Sequence, residues 1–238
     1  DEPDLSQGFV RDENGTLTTF VAPDAAATFP SFINSAEEIA GIWSGGNGGP
    51  FYGFIRDAQG NIQTFSVPGQ KQSLSVTGLN ANGDIVGWYY TNTSFNQEFC
   101  FIRYKDGAVF PFNVPGAYDS EAAGINDNGD IVGSYQGGRH GFVRDASGGF
   151  THFDLPGATN ISPAAINNGG QIVGSYTDAQ NVIHGFLRQK NGQVITVDVP
   201  NATSTSVVDI NVNGEMTGTY TTASGTSSFV ARLCGCSP

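Results

Sequence analysis

The sequence predicts an all-β protein, a five-bladed β-propeller built from four-stranded repeats of 41–46 residues, and three observations predict it. An Ile/Leu-Asn pair, a polar turn and Ile/Val-Gly-x-Tyr recur along the chain. The asparagine stands at Asn34, Asn80, Asn126, Asn167 and Asn211, in steps of 46, 46, 41 and 44 residues. Each repeat divides into four short stretches rich in β-branched and aromatic residues, separated by turn residues. No stretch carries helical periodicity. The period alone also suits a solenoid, but a four-strand meander matches a propeller blade.

Taken in order, residues 1–7 (DEPDLSQ) are polar and expected to be flexible. GFVRDENGTLTTFVAP, residues 8–23, reads as a hairpin whose second strand ends before Pro23. It returns as GFIRDAQGNIQTFSVP at 53–68, FIRYKDGAVFPFNVP at 101–115, GFVRDASGGFTHFDLP at 141–156 and GFLRQKNGQVITVDVP at 185–200. The turns carry Asn-Gly, Gln-Gly, Asp-Gly or Ser-Gly, residues that tolerate positive φ. Between these hairpins lies another, an apolar strand ending in the repeated asparagine and a second strand ending in Gly-x-Tyr. Its first copy departs from the rest, with Ser35-Ala36-Glu37 in a turn that elsewhere carries glycine.

Each repeat thus has strands a (to the Asn), b (Gly-x-Tyr), c (Phe-x-Arg) and d (to the Pro). The sequence holds five each of a, b and d and six of c, which makes five blades and one surplus c strand. Residues 8–233 are expected to form a single propeller domain, with residues 234–238 a cysteine-containing tail. Closing a ring sets two copies of c, residues 8–12 and 228–232, in competition for one place. A surplus strand with alternating apolar residues invites edge pairing.

The repeated residues have structural roles in this reading. Gly41, Gly87, Gly133, Gly174 and Gly218 lie mid-strand, where glycine marks close backbone approach. Phe9, Phe54, Phe101, Phe142, Phe186 and Phe229 pack between blades. Arg11, Arg56, Arg103, Arg144, Arg188 and Arg232 satisfy carbonyls or carboxylates there. The asparagines cap the a–b turn through side-chain to backbone bonds.

The 238 residues carry 33 glycines, 17 phenylalanines and a net charge of −12, with ten Lys plus Arg against 22 Asp plus Glu. So little positive charge argues against nucleic acid and anionic membrane surfaces as partners. No stretch approaches the roughly 18 apolar residues of a membrane span. The first residue is Asp1, and with low Lys and abundant Thr, Ser, Asn and Gly this fits an exported, processed protein. Cys100, Cys234 and Cys236 make an odd count, which in an exported protein leaves one thiol unpaired or shared between chains.

The pattern in GINDNGDIVGSY (124–135), AINNGGQIVGSY (165–176), HGFVRD (140–145) and HGFLRQ (184–189) resembles the HAF-type repeat family of bacterial extracellular proteins, over about residues 8–232. The resemblance implies export and a propeller-like repeat fold, and it brings no catalytic motif.

In a propeller the b–c and d–a loops share one face. Here they vary in length while the a–b and c–d turns are short and uniform, so recognition is expected on the b–c/d–a face. The candidate ligand-binding residues there are Trp88, Tyr90, Phe95 and Asn96, aromatics to stack on a sugar ring and an amide to bond it, with Tyr89 assigned to the core like its equivalents in other repeats. Asp209 joins them as an acid that breaks the repeat, where other copies have Phe32, Gly78, Gly124 and Ala165. Glycoside hydrolysis needs two carboxylates at a defined separation. Asp119, Glu121 and Asp154 supply no clear second member, so no catalytic residue is assigned. Asp127-Asn128-Gly129-Asp130 holds part of a calcium loop without its remaining ligands and reads as a plain hairpin turn. His140 and His184 share one repeat position and His152 stands alone. No metal site and no cofactor are expected.

The expected function is that of a secreted structural or interaction protein, assembling into oligomers or filaments through Gly8, Phe9, Val10 and Arg11, Phe229 and Val230, with Cys234 and Cys236. A carbohydrate-binding propeller is the alternative, and a glycosidase or lyase a third class.

Overall fold

The computed structural model describes residues 6–91 and 97–232. Among them it has twenty-one strands, β1–β21, and no helix. The chain parts into two compact units, residues 1–112 and 113–238.

The first unit opens with a two-stranded sheet, β1 (Gly8–Arg11) and β2 (Leu17–Phe20). One four-stranded sheet follows from β3 (Ala27–Ile33), β4 (Ile39–Ser44), β5 (Phe51–Arg56) and β6 (Ile62–Phe65). A second is made of β7 (Leu74–Leu79), β8 (Ile85–Tyr90), β9 (Glu98–Arg103) and β10 (Val109–Phe112).

The second unit repeats the plan. It has β11 (Ser120–Ile125), β12 (Ile131–Tyr135), β13 (His140–Arg144) and β14 (Phe150–Phe153), then β15 (Ala158–Ile166), β16 (Ile172–Asp178), β17 (Ile183–Arg188) and β18 (Val194–Val197). A three-stranded sheet ends it, β19 (Ser204–Ile210), β20 (Glu215–Thr222) and β21 (Gly225–Arg232). All sheets are antiparallel meanders in chain order. The strands fall into the a, b, c and d sets read from the sequence, with β1 and β21 both of type c.

A glycine socket between strands b and c recurs in every full sheet. The mid-strand glycine of b pairs with the phenylalanine of c: Gly41 with Phe54, Gly87 with Phe101, Gly133 with Phe142 and Gly174 with Phe186. A Cβ on any of these glycines would drive into the c-strand ring and into an a-strand carbonyl, that of Phe29, Ser75, Glu121 or Ser162. That carbonyl comes close because strand a is bulged at this level, for example between Val76 and Gly78. The four rings are fully buried. A second socket joins c to d, where a Cβ at Gly8, Gly53 or Gly141 would enter the ring of Phe20, Phe65 or Phe153.

Sheets within a unit meet through the same rings. Phe20 and Phe65 stand edge-on to Phe54 and Phe101 of the next sheet, with centroids 6.1 and 5.9 Å apart. The repeated arginines stack on the same d-strand rings: Arg56 on Phe20, Arg103 on Phe65 and Arg188 on Phe153. Their carbonyl partner is local, that of the next residue in the chain, as in Arg103 Nη1 to Tyr104 O at 3.2 Å. Ring stacking with this local bond is the common arrangement, while the expected carbonyl reached across sheets is present at Arg103, whose Nη2 donates to Gln63 Oε1 of the sheet before at 3.1 Å.

Three further expectations change. Arg232 does not occupy the arginine position, because register pairs Met216 with Ala231 where Ile39, Ile85, Ile131 and Ile172 pair with arginines. An extra residue separates Phe229 from Arg232. Phe9 is 65% exposed rather than packed between sheets, since among the described residues β1 has no b strand beside it. Tyr89 is core at 3% exposure, but its equivalents Tyr135, Tyr176 and Tyr220 are only half-buried.

The asparagines cap the a–b turns as expected. In each, Oδ1 accepts the backbone N–H groups two and four residues on, as Asn126 does from Asn128 and Asp130. They also link sheets: Nδ2 donates to the carbonyl of the next asparagine, Asn34 to Asn80, Asn126 to Asn167 and Asn167 to Asn211, each at 3.1 Å. The turn at 127–130 is part of this lattice, with Asn168 Nδ2 donating to Asp127 at 2.7 Å. Where the first copy lacks the turn glycine, Glu37 itself takes φ of 59°.

Candidate functional site

The b–c and d–a loops leave each sheet at the end where strand b finishes and strand c begins. The residues there occupy paired repeat positions, two after the b-strand glycine and one before the c-strand socket. In the first unit the pairs are Trp43 with Tyr52 and Tyr89 with Phe99. In the second they are Tyr135 with His140, Tyr176 with His184 and Tyr220 with Ser227.

The first unit makes this end aromatic. The Trp43 and Tyr52 rings lie 5.3 Å apart, and Phe29, 40% exposed, meets Phe51 at 5.9 Å. On β8, alternation puts Tyr89 in the core and turns Trp88 and Tyr90 to the other face together, half-buried and edge-to-face at 5.4 Å. Burial raises the Tyr89 hydroxyl above its usual pKa, and Cys100 adds to the shift. Of the four residues proposed for sugar contact, Trp88 and Tyr90 are thus brought together. Phe95 and Asn96 lie outside the described residues.

The second unit makes the same end polar and titratable. His140 stacks on Tyr135 at 5.0 Å, and its Nδ1 lies 2.6 Å from Asp154. His152 meets Tyr135 edge-on at 5.4 Å. One sheet on, His184 stacks on Tyr176 at 5.1 Å. Its Nδ1 lies 2.7 Å from Asp198 and its Nε2 lies 3.3 Å from Asp178. The bond to Asp198 raises the His184 pKa above 6.5 despite the opposing effect of burial. Asp178 lies below the usual carboxylate value, held first by the Val182 N–H and then by His184.

Neither cluster is visible in the sequence when each histidine is taken alone. The signal was a covariation inside the chain. Histidine precedes Gly-Phe in two repeats, and in those two the residue fourteen positions on is aspartate, Asp154 and Asp198; the other hairpins have Val21, Ser66 and Asn113 there.

The remaining candidates lie elsewhere. Asp209 is exposed just past the β19 bulge, where its Oδ1 accepts the N–H of Ile210. It lines a depression of about 180 Å³ with Glu215, and that second acid accepts a bond from Asn211 at 2.7 Å. Gly8, Phe9, Val10 and Arg11 form β1 and border an open groove of about 370 Å³ against Pro30, Phe32 and Ile33. Phe229 is half-buried on Gly218, while Val230 is 80% exposed. Cys100 is fully buried. Cys234 and Cys236 lie outside the described residues. Among the described residues no group of three or more His, Cys, Asp or Glu is placed to hold a metal ion.

No protein-family model matches the sequence, and no curated protein matches it. Solved structures do. A catalytically inactive H270A virginiamycin B lyase from Staphylococcus aureus with quinupristin aligns at a TM-score of 0.60 and 15% identity, over 99% of this chain and 80% of that one. A streptogramin B lyase aligns at 0.55 and 15% identity, over 98% and 78%. TolB from Acinetobacter baumannii aligns at 0.59 and 12% identity, over 94% and 59%. These likenesses show the fold, which is of the β-propeller type.

Proposed function

We propose that the chain is a non-catalytic interaction protein, a five-bladed propeller of the HAF type acting outside the cell, that joins further copies of itself through its two incomplete sheets. The observation that carries this reading is a mismatch of sockets. The β1–β2 hairpin has the c–d socket, Gly8 under Phe20, but no b strand among the described residues, so Phe9 and the neighbouring Ile33 are left 65% and 63% exposed. The β19–β21 sheet has the b-strand glycine, Gly218, but β21 is a poor c strand. It carries Ser228 where three of the full sheets have Gly53, Gly141 and Gly185, and Ala231 where all four have arginine, and among the described residues no d strand follows it in the sheet.

The hairpin of a second copy supplies what β20 lacks. Phe9 seats on Gly218, Arg11 falls opposite Met216, and β2 arrives as the d strand. Because β21 already holds that side of β20, this is strand exchange, the hairpin taking the place of β21, with side-chain sockets setting the register. Mass photometry over a concentration series is the test. Oligomers are expected for the wild type and monomers for Phe9→Asp, a change at an exposed side chain that leaves the circular dichroism unaltered. A wild type that stays monomeric at every concentration overturns the reading, as does a Phe9→Asp protein that assembles like the wild type.

A second reading, a sugar-binding face, is favoured by the shared orientation of Trp88 and Tyr90 near the end of β8. Stacking on such rings is worth roughly 1 kcal/mol or more per contact. Glycan-array signals lost in Trp88→Ala support it, and an array without signals removes it.

A further inference from the structure

We infer that His184 is a proton-operated clip: as an imidazolium it ties the 178–182 turn to the loop that follows β18, and on losing its proton it lets the turn go. The argument starts from valence. Both ring nitrogens face carboxylate oxygens, Nδ1 at Asp198 and Nε2 at Asp178. A neutral imidazole has one N–H, so one of the two contacts would set a lone pair against a carboxylate. Only the doubly protonated ring satisfies both. The ring cannot swing aside without leaving its stack on Tyr176.

The two contacts are unequal, and the difference says which one yields. The bond to Asp198 is 2.7 Å and that to Asp178 is 3.3 Å. Deprotonation keeps the shorter bond and gives up the longer. Asp178 is also the residue that shapes the turn, since its Oδ1 accepts the N–H groups of Gln180 and Val182, both at 2.8 Å. Asn181 sits in that turn at φ of 62°, a conformation asparagine tolerates. The state of the ring therefore passes directly to a loop on the variable face.

The other ionisable groups around β17 are few. Strand β16 presents Tyr176 and Asp178, and the loop after β18 presents Asp198. Strand β19 packs over Gly185 through Thr205 and Val207, with Asp209 its one ionisable residue. Strand β14 meets β17 where Phe153 lies under Arg188, and Asp154 beyond it is bonded to His140. His140 gives the contrast, for it meets one carboxylate and needs no second proton. The upward shift of His184 extends the closed clip above pH 6.5, and the downward shift of Asp178 keeps that carboxylate ionised below pH 3.8.

The test is nitrogen-15 NMR of the histidine rings in the whole chain, with hydrogen-exchange protection factors for Val182 measured across the same pH range. His184 is expected to show two protonated nitrogens at pH 6.5 and to titrate above that value. Val182 protection is expected to fall about tenfold as it does so, the worth of one charge-assisted hydrogen bond. In Asp178→Asn the His184 titration moves down while that of His140 stays in place. A His184 that titrates at or below 6.5, Val182 protection that ignores its titration, or an Asp178→Asn variant that leaves its titration unmoved overturns the inference.

Discussion

At the strand ends beneath the variable loops, the two units fill one pair of repeat positions with different chemistry. The first unit puts Trp43 against Tyr52 and Tyr89 against Phe99. The second puts Tyr135 against His140 and Tyr176 against His184, and each histidine takes an aspartate from the end of strand d. The lattice below these positions is the same in both units: glycine sockets, buried c-strand rings and asparagine-capped turns. The difference teaches that the repeat separates a conserved packing problem from an end that is free to change. An apolar pair adds surface for a flat ligand, and a histidine–carboxylate pair adds a response to protons.

The sharpest way to break this comparison is to attack the shared lattice. Gly87→Ala in the first unit and Gly133→Ala in the second place a Cβ into an a-strand carbonyl and a fully buried ring. Neither the carbonyl nor the ring has room to retreat. Each substitution is expected to cost about 3 kcal/mol, measured by urea unfolding. If one unit accepts its alanine within about 1 kcal/mol while the other does not, the sockets are not equivalent and the separation of lattice from end fails.

Much of this lattice was legible in the sequence, because a side chain every second residue and a glycine at a fixed place in each repeat leave few ways to pair the strands. The strand set, the turns at Gly15, Gly60, Gly107, Gly148 and Gly192, and the capping by asparagine could be read directly. The link from Asn126 to Asn167 could not, since it joins two turns brought together only when the sheets stack. The place of Arg232 is hidden in the sequence because Phe-x-Arg becomes Phe229-x-x-Arg232 there, and hydrogen-bond register counts every residue. At the candidate site, Trp88 and Tyr90 were legible from alternation along one strand. The His–Asp pairs needed a comparison of repeats with each other, since fourteen residues separate the partners and a hairpin returns them to one face.

The arginine position gives a smaller effect and a finer test. Arg103 is 3% exposed, stacks on Phe65 at 5.5 Å and donates to Gln63 at 3.1 Å. Arg188 stacks on Phe153 at 4.9 Å. Burial lowers the pKa of both guanidinium groups, which is the cost their ring contacts and local carbonyl bonds offset. Truncation of either to alanine is expected to cost about 2 kcal/mol, through lost stem packing and the cation–π contact together. Arg232→Ala is expected to change stability by less than about 0.5 kcal/mol, because that side chain is exposed and off the repeat register. Equal losses for Arg188→Ala and Arg232→Ala would restore Arg232 to the repeat and undo the register argument.

The smallest effect bears on the ends themselves. Replacing His184 by Tyr and Asp198 by Ser gives the second unit the residues that the first has at Tyr52 and Ser66. The sign of the pH response follows from His184, whose pKa in the folded chain lies above 6.5. Its contribution to stability is complete below pH 6.5 and is lost as pH rises through the raised folded value. A group this near solvent contributes less than about 1 kcal/mol, so the measurement is a difference between two unfolding curves at pH 6 and pH 9. The wild type is expected to lose stability between those values by more than the exchanged protein does, since tyrosine facing serine offers no imidazole to titrate there. Identical losses would mean that His184 is no more responsive than the aromatic residue it replaces, and the contrast between the two ends would then be one of shape alone.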